Sequence, residues 1–246
     1  MAEQEVIKHT KAVYKIWNSK NHDFWHKVKE FFIEIFIIVF AITLSIWFHS
    51  WSEHKHEQQD VKEFLIGLRQ DLQHDMLEMK SDEISYVMQG KIFTYLVKLK
   101  MNEKVNDDTL NNYREFILNT TALNPNNGRF EGFKSSGKIT NIEDKFLQNS
   151  ILDLYQEDIP VLLSSTNSYI ERKKRLDEFL IKNRKRLTDS SSNFNEILVI
   201  DECRNINRAL ANTEEILNRY ENCIKKMELI IAKINEEYGA IKEEKK

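Results

Sequence analysis

Glycine, proline and cysteine are scarce in this sequence, whose 246 residues include 6 Gly, 2 Pro and 2 Cys. Glycine and proline supply most tight turns, so their scarcity argues against an all-β or α/β fold. Few helix breakers instead predict an all-α fold built from a few long helices. Neither sign of charge dominates overall, because 36 basic and 39 acidic residues leave a net charge of −3. We therefore expect no general attraction to nucleic acid.

The two cysteines, Cys203 and Cys223, are too few for a disulfide framework and lack the spacing of a metal-binding pair. Both fall on one predicted helix, where their separation along the chain corresponds to roughly 30 Å. A disulfide requires Cα atoms within about 7 Å of each other. An unbroken helix would therefore exclude an intramolecular bond, while a bond between two chains stays open.

A long apolar run occupies residues 31–48 and contains one charged residue, Glu34. A helix of this length spans about 27 Å, close to the thickness of the hydrocarbon core of a bilayer. Glu34 lies one turn from the start of the run, so its carboxyl group need not sit at the costly midplane. We predict a transmembrane helix over residues 31–48.

All four tryptophans of the chain lie near this run, at Trp17, Trp25, Trp47 and Trp51. Tryptophan prefers the membrane–water interface, where its ring is half buried and its N–H remains hydrated. We therefore predict that these four residues and Glu34 mark the membrane interface. The alternative, a core helix of a soluble protein, gives no reason for this clustering. No small-residue cleavage site follows the run, which favours an uncleaved signal anchor.

The distribution of lysine predicts the orientation of the chain. Only Lys55 and Lys62 occur in the twenty residues after Phe48, whereas six lysines precede the run. The positive-inside rule then predicts a cytoplasmic segment at residues 1–30 and an extracytoplasmic domain at residues 49–246. Within the N-terminal segment, residues 5–17 are either a short amphipathic helix or a frayed tail. The six preceding lysines are Lys8, Lys11, Lys15, Lys20, Lys27 and Lys29.

Apolar residues recurring every three or four positions predict three long helices, at residues 52–101, 141–188 and 194–243. No breaker separates the first from the transmembrane run, so we expect one continuous helix. Pro160 should kink the second helix. Lys173 interrupts the apolar seam of that helix, where its ammonium either extends to solvent or sets the register. The third seam keeps its spacing over six heptads, as in a coiled coil. Its members are Val199, Cys203, Ile206, Leu210, Thr213, Leu217, Tyr220, Ile224, Met227, Ile231, Ile234, Tyr238 and Ile241.

Residues 102–140 are predicted to form a small helical cap. Short helices are expected near residues 109–118 and 129–136, with Gly137 as a left-handed cap and a capping box at residues 140–143. The similar lengths of the three long helices predict an elongated antiparallel three-helix coiled bundle. In this up-down-up arrangement the cap and the C-terminus are distal, and the loop at residues 188–194 returns toward the membrane.

Residues suited to catalysis or ligand binding are sparse. Ser135 and Ser136 have no recognisable histidine and aspartate partners, and no nucleotide-binding motif is present, so we predict no enzyme activity and no cofactor. Two histidine sets could share helix faces but lack a clear additional ligand, so no metal site is predicted. Basic residues at 172–186 form either a solvated face or a contact with anionic lipid. The two histidine sets are His22 with His26, and His49 with Glu53 and His56.

Two stretches of the chain resemble one family. The first comprises residues 34–39, 50–53 and 64–72, and the second comprises residues 130–139, Leu147 and residues 154–155. Together they are similar to bacterial single-span membrane proteins known only as a domain of unknown function, over residues 30–160. Ser50 stands where that family commonly has asparagine. The resemblance implies a bacterial membrane location and a helical domain, and it supplies no activity or active-site residues.

These patterns favour a non-catalytic scaffold or sensor anchored in the bacterial inner membrane. Its periplasmic rod would contact a protein partner, and the wide apolar stripe of the last helix favours a parallel homodimer. Cys223, beside that stripe, would lie nearer its symmetry mate than Cys203. The alternative function is an accessory subunit of a larger membrane complex, coupled to ion movement through Glu34.

Overall fold

A computed structural model describes residues 24–100, 103–187 and 192–239, together with Ile7, Lys11, Tyr14 and Lys15. The all-α prediction is confirmed, because all secondary-structure elements of these residues are helices and their β-pairing is limited to one isolated bridge. The helices are α1 Phe24–Lys98, α2 Asp107–Leu118, α3 Gly128–Ser135, α4 Lys145–Asp153, α5 Ile159–Asn183, α6 Phe194–Ile197, α7 Asp201–Ala211 and α8 Glu214–Tyr238. A 3₁₀ turn at Lys138–Asn141 and a π-helical turn at Leu154–Asp158 complete the list.

The chain divides into two compact units, Met1–Asp60 and Val61–Lys246. The first unit holds a helix long and apolar enough, by length and composition, to cross a membrane. Residues 31–48 are all described, and none of them is buried. Thr43 donates its hydroxyl to the Val39 carbonyl at 2.7 Å, so this polar side chain is bonded within the helix. The expected continuity is confirmed, since α1 is unbroken from Phe24 to Lys98.

The core of the second unit forms along the predicted apolar seams. On α1, Val61, Leu65, Leu68, Leu72 and Met79 are at most 2% exposed. The seam of the second predicted helix is also confirmed, with Leu152 half-buried and all its other members buried. Those other members are Tyr155, Ile159, Leu162, Thr166, Tyr169, Lys173, Leu176 and Leu180.

The prediction of a distal cap at residues 102–140 is wrong, although its short helices and left-handed Gly137 are confirmed. Residues 119–127, here called the strap, are non-helical and lie along α1. The Asn124 N–H donates to Glu78 at 2.9 Å. Farther along the chain, the ring of Phe133 stacks on that of Phe64 at 4.0 Å. The segment therefore runs alongside the middle of α1 rather than beyond its end.

The expected direction of the second long helix is also wrong. Tyr86 of α1 contacts Tyr169 of α5 at 5.2 Å, and Phe93, farther along α1, lies beneath the Lys173 ammonium at 5.2 Å. Contacts therefore advance together along the two helices, whereas an antiparallel pair would show the opposite order. The strap carries the chain back along α1. The helix α5 therefore starts from the end of the second unit at which the α1 seam begins.

The last helices run opposite to α1, which corrects the predicted distal C-terminus. Arg204 of α7 donates to the Val97 carbonyl at 3.1 Å near the end of α1. Arg69, near the start of the second unit, donates to Asn235 at 2.6 Å and to the Gly239 carbonyl at 2.7 Å. The described C-terminal residues therefore lie beside the beginning of the α1 seam.

The third predicted helix is divided into α6, α7 and α8, which changes its buried face. The break at residues 212–213 lies against Gly90, where an added Cβ would come within 2.6 Å of the Thr213 hydroxyl oxygen. Beyond this break the buried residues include Ile216, Cys223 and Ile230, while Leu217 and Ile231 of the predicted seam are only partly buried. Cys223 therefore lies inside the core rather than beside it.

Two local predictions about the α4–α5 region need correction. The helix starts at Lys145 rather than in the proposed capping box, because the Asp144 carboxylate accepts the Phe146 and Leu147 N–H groups at 2.9 and 3.0 Å. The expected kink at Pro160 corresponds to the π-helical turn that precedes it, in which the Ile159 N–H bonds to the Leu154 carbonyl. A wider turn leaves room for the proline ring, which has no N–H to donate to the preceding turn.

Gly137 and Gly132 provide a matched pair of substitutions. Gly137 has φ +76°, so Gly137→Ala should lower the free energy of unfolding by about 1 kcal/mol. Gly132 lies within α3 with nothing within 4 Å of an added Cβ. Gly132→Ala should therefore raise it by about 0.5–1 kcal/mol. Denaturant unfolding of the detergent-solubilised chain measures both, and equal effects would contradict the assignment of Gly137 as the constrained position.

Candidate functional site

The seam of α1 contains three buried polar residues at seven-residue spacing. Asp75, Asp82 and Gln89 are 0%, 4% and 2% exposed, and they occupy the positions between Leu68 and Leu96. The apolar periodicity of the sequence does not include these three residues, because hydrophobic residues alone define it. Their heptad spacing within the seam was the available signal. Together with the residues bonded to them, these three side chains form the candidate functional site.

Asp75 is held by Asn126 of the strap. The backbone N–H of Asn126 lies 3.1 Å from both carboxylate oxygens, and its side-chain amide donates to Oδ1 at 2.6 Å. Burial raises the pKa of the Asp75 carboxyl above its ordinary value, while the Asn126 bonds oppose this rise. Glu78 and Asp71 on the same helix add to the increase.

Asp82 joins three chain segments. The Tyr220 hydroxyl of α8 donates to Oδ2 at 2.9 Å, and the Thr121 hydroxyl of the strap donates to Oδ1. Tyr86, one turn along α1, donates to the Thr121 carbonyl at 2.7 Å. A single carboxylate therefore fixes α1, the strap and α8 relative to one another.

Three tyrosines cluster in the core, and one of them is Tyr220, which bonds to Asp82. Tyr86, Tyr169 and Tyr220 are at most 1% exposed, and the ring of Tyr86 lies 5.2 Å from Tyr169 and 5.7 Å from Tyr220. Tyr169 donates its hydroxyl to the Leu210 carbonyl at 3.1 Å. Burial raises the pKa of all three phenols well above the ordinary value. They therefore remain protonated donors at neutral pH.

Lys173 enters the core from α5 and does not reach solvent, which settles the question of its role in the seam. The side chain is buried, and Nζ donates to the carbonyls of Phe116 and Ile117 at 2.6 and 2.7 Å. These carbonyls end α2, where the helix dipole favours a cation. Burial nevertheless lowers the pKa of Lys173 to about 7. The ammonium and amine forms are therefore comparably populated near neutral pH.

The two stretches that carry the family resemblance contact each other. The contact is the Phe64–Phe133 stack. Arg129, which immediately precedes the second stretch, donates to Asp71 at 2.9 Å, and an added Cβ at Gly67 would meet its guanidinium within 2.3 Å. The ring of Tyr155 in the π-helical turn stacks on Phe130 at 4.4 Å. Its buried hydroxyl has no hydrogen-bond partner among the described residues.

The predicted membrane-interface residues are placed only in part. Trp25, Trp47 and Trp51 are 78%, 59% and 55% exposed on α1, and the Lys55 ammonium lies 5.7 Å from the Trp51 ring. Glu34 is half-buried on the same helix. Trp17 lies outside the described residues, as do His22 and most of residues 5–17. Their role at a membrane interface stays a prediction.

The remaining candidates have structural surroundings. The Ser135 and Ser136 hydroxyls donate to the Gly132 and Phe133 carbonyls, so both bond to backbone carbonyls near the C-terminal end of α3. The basic residues of α5 are exposed except for Lys173. In the described parts of the chain, no three or more histidine, cysteine or acidic residues are grouped as a metal site would require.

Both cysteines are free and buried, with Cys203 and Cys223 at most 1% exposed. Burial raises the pKa of each thiol to about 12. A buried thiol of this pKa is almost entirely protonated at neutral pH and reacts slowly. The expectation that Cys223 is available to a symmetry mate is therefore wrong.

Asp75 should make stability fall as pH rises. Its folded-state pKa is raised, so the folded state binds more protons above the unfolded-state pKa, and protonation favours folding. Asp75→Asn retains an acceptor for Asn126 without the charge, so at pH 7 it should be at least as stable as the wild type.

Asp75→Ala is the contrasting variant, since it leaves the Asn126 N–H unbonded and should cost about 1–3 kcal/mol. Denaturant unfolding at pH 4 and pH 7 measures all three proteins. If both the Asn and the Ala variant lose the same free energy of unfolding at pH 7, the negative charge of Asp75 itself is required.

Lys173 should make stability rise with pH between about 7 and 10.5. Over this window the unfolded chain keeps a proton that the folded chain has lost, so unfolding becomes less favourable as pH rises. The full rise is on the order of 5 kcal/mol by the relation between pKa and free energy.

Lys173→Met should remove that rise, and the exposed Lys174→Met is the matched control. Unfolding free energies of the three proteins between pH 7 and pH 10 provide the test. A rise that persists in the Lys173 variant would assign it to other groups.

No protein-family model matches this chain, and no curated protein or solved structure matches it either. The resemblance to the single-span membrane family therefore stays a prediction from the quoted residues.

Proposed function

We propose that this chain is a single-pass inner-membrane protein that presents a non-catalytic helical domain to a protein partner in the periplasm. The observation that carries the proposal is the unbroken helix α1. It contains the apolar run at residues 31–48, none of which is buried, and also the buried seam of the second unit. One secondary-structure element thus supplies both an anchor and the core of a folded domain.

The apolar residues favour a lipid environment. Exposure of eighteen consecutive, mainly apolar residues to water is unfavourable, whereas a helix in lipid satisfies its own backbone groups. The internal bond of Thr43 to Val39 suits the same environment, since it leaves no unpaired hydroxyl in the hydrocarbon region. The lysine bias before residue 31 supports a cytoplasmic N-terminus.

A binding role suits the second unit better than catalysis because the buried carboxylates of its α1 seam and its buried lysine are used within the fold. Asp75, Asp82 and Lys173 bond to the strap, to α8 and to the end of α2. Such bonds position secondary-structure elements, and they leave these groups committed to the core. Raised phenol pKa values likewise favour hydrogen-bonding over acid–base roles.

We infer that the second unit is a bundle of four consecutive segments that alternate in direction. The α1 seam is followed by the residues 107–141, then by α4–α5, and finally by α7–α8. Contacts of Tyr169 with Leu210 and of Val161 with Arg219 support the antiparallel pairing of the last two. This replaces the three-helix arrangement expected from helix lengths.

The surface proposed for the partner is the exposed apolar pair on α1. Leu77 and Ile84 are 69% and 59% exposed and lie one heptad apart, so they share one helix face. A second copy of the chain is the occupant we favour. Two anchored copies can align the same heptad positions in parallel, as in a homodimer.

The test combines topology with association. A reporter active only outside the cytoplasm, fused after Lys246, should be active, because the domain is proposed to be periplasmic. Light scattering of the detergent-solubilised chain should give a dimer that Leu77→Glu with Ile84→Glu disrupts, while the control Asn167→Glu, exposed on α5, does not. Activity only of a cytoplasmic reporter would reverse the orientation.

The alternative function would give a different result in the same preparation. A subunit of an ion-coupled complex should co-purify with polytopic membrane proteins rather than with itself. Glu34→Gln should then abolish the cellular phenotype at a normal protein level. Retention of the phenotype in that variant would leave the scaffold proposal favoured.

A further inference from the structure

A polar cavity lies where the strap leaves the end of α2. Its volume is about 500 Å³, and α1, α2 and the strap contribute its walls. The residues that matter for its chemistry are Ser85, Gln89, Glu115, Phe116, Asn119 and Thr120. This volume is within the range of small-molecule sites.

Gln89 is the unusual member of the cavity wall. It is 2% exposed, and its Oε1 has no hydrogen-bond partner in the part of the chain that the structure describes. Asp75 and Asp82 occupy equivalent heptad positions and are both bonded. An unpaired buried acceptor costs about 1–3 kcal/mol, so packing alone gives no reason for glutamine at this position.

The composition of the wall selects a class of ligand. Ser85 and Thr120 supply hydroxyls, Gln89 and Asn119 supply amides, and Glu115 supplies the one charged side chain among the lining residues. A wall without a cationic side chain disfavours anions. The nearby Lys173 does not change this, because its ammonium bonds to the Phe116 and Ile117 carbonyls.

Phe116 adds a half-buried aromatic ring to the otherwise polar wall. A molecule with hydroxyl groups can both donate to and accept from the amides and hydroxyls, and its C–H faces can pack on the ring. A polyol of monosaccharide size combines these properties and fits the volume. It would also hydrogen-bond to the amide of Gln89, which lines the cavity.

We propose that this cavity binds a neutral, hydroxyl-rich small molecule the size of a monosaccharide, with the Gln89 amide as its buried anchor. The proposal goes beyond membrane anchoring and does not depend on it. Binding would connect α1, the end of α2 and the strap. The second unit would then respond to a small solute as well as to a protein partner.

Isothermal titration of the full chain tests the proposal in lauryldimethylamine oxide, because a detergent with a sugar headgroup would compete for the site. Glucose and myo-inositol are the polyol probes, cyclohexylamine is the cationic probe, and inorganic phosphate is the anionic probe. We expect saturable millimolar binding of at least one polyol, and none of cyclohexylamine or phosphate.

Gln89→Leu should weaken polyol binding by about tenfold or more, the loss expected for one buried hydrogen bond. Gln73→Leu is the matched control, since Gln73 is exposed on the same helix and does not line the cavity. Helical circular dichroism and denaturant unfolding confirm that the Gln89→Leu variant is folded. Gln89→Glu provides a second variant that keeps the side-chain length and an acceptor.

The outcomes separate the proposal from its alternatives. Polyol binding lost in Gln89→Leu and kept in the control supports it. Binding of cyclohexylamine alone would assign the cavity to a cation held by Glu115, and binding of phosphate alone would contradict the charge argument. Absence of binding by every probe would mean that water alone occupies the cavity, and equal polyol binding by all variants would place the ligand elsewhere; both results overturn the proposal.

Discussion

The arrangement of the second unit depends on the carboxylates buried in the seam of α1. A carboxylate without hydrogen-bond donors is too costly to bury, so Asp75 and Asp82 each require donors from a neighbouring segment. The N–H groups of a helix interior are already bonded within the helix and cannot serve. The strap supplies what a helix cannot, because it is non-helical and offers the Asn126 backbone and side-chain amides and the Thr121 hydroxyl.

This requirement explains why the chain returns along α1 instead of capping its end. Pro125 lies within the strap and cannot continue a helix interior, which helps to keep the neighbouring amides available. Only Leu123 of the strap is buried, so apolar packing contributes little to holding this segment. Its polar bonds to Asp75, Glu78 and Asp82 therefore determine its position. Tyr220 then reaches the same Asp82 carboxylate and sets the register of α8 against α1.

The sequence predicted which residues form helices better than it predicted how the helices are arranged. Three–four periodicity identifies a buried face, as Leu162, Tyr169 and Leu176 confirm, but it does not say which element covers that face. Helix lengths gave a three-helix arrangement because the strap, with one buried residue, has no apolar period to reveal its packing. The directions of α5 and α8 depend on the course of the strap, so helix lengths alone did not predict them.

Two further differences have specific physical causes. In α8, two apolar faces, one through Ile216 and one through Leu217, fit the three–four spacing almost equally. The helix follows a break that packs against Gly90, and the face through Ile216 is the one that is buried. In α1, the apolar periodicity does not include the polar members of the seam, Asp75, Asp82 and Gln89. Their seven-residue spacing could have predicted that they are buried, although their partners could not be found without the fold.

The polar seam has two parts with different energetic roles. Asp75 and Asp82 are saturated by the strap and by Tyr220, so their burial specifies one arrangement of segments. Farther along, Gln89 leaves Oε1 unpaired, and Lys173 places a readily neutralised amine against the end of α2. Both features reduce the stability gained from closing this region. Opening should therefore cost less around the junction of α2 and the strap than in the tyrosine core, which would allow a ligand to enter without unfolding the unit.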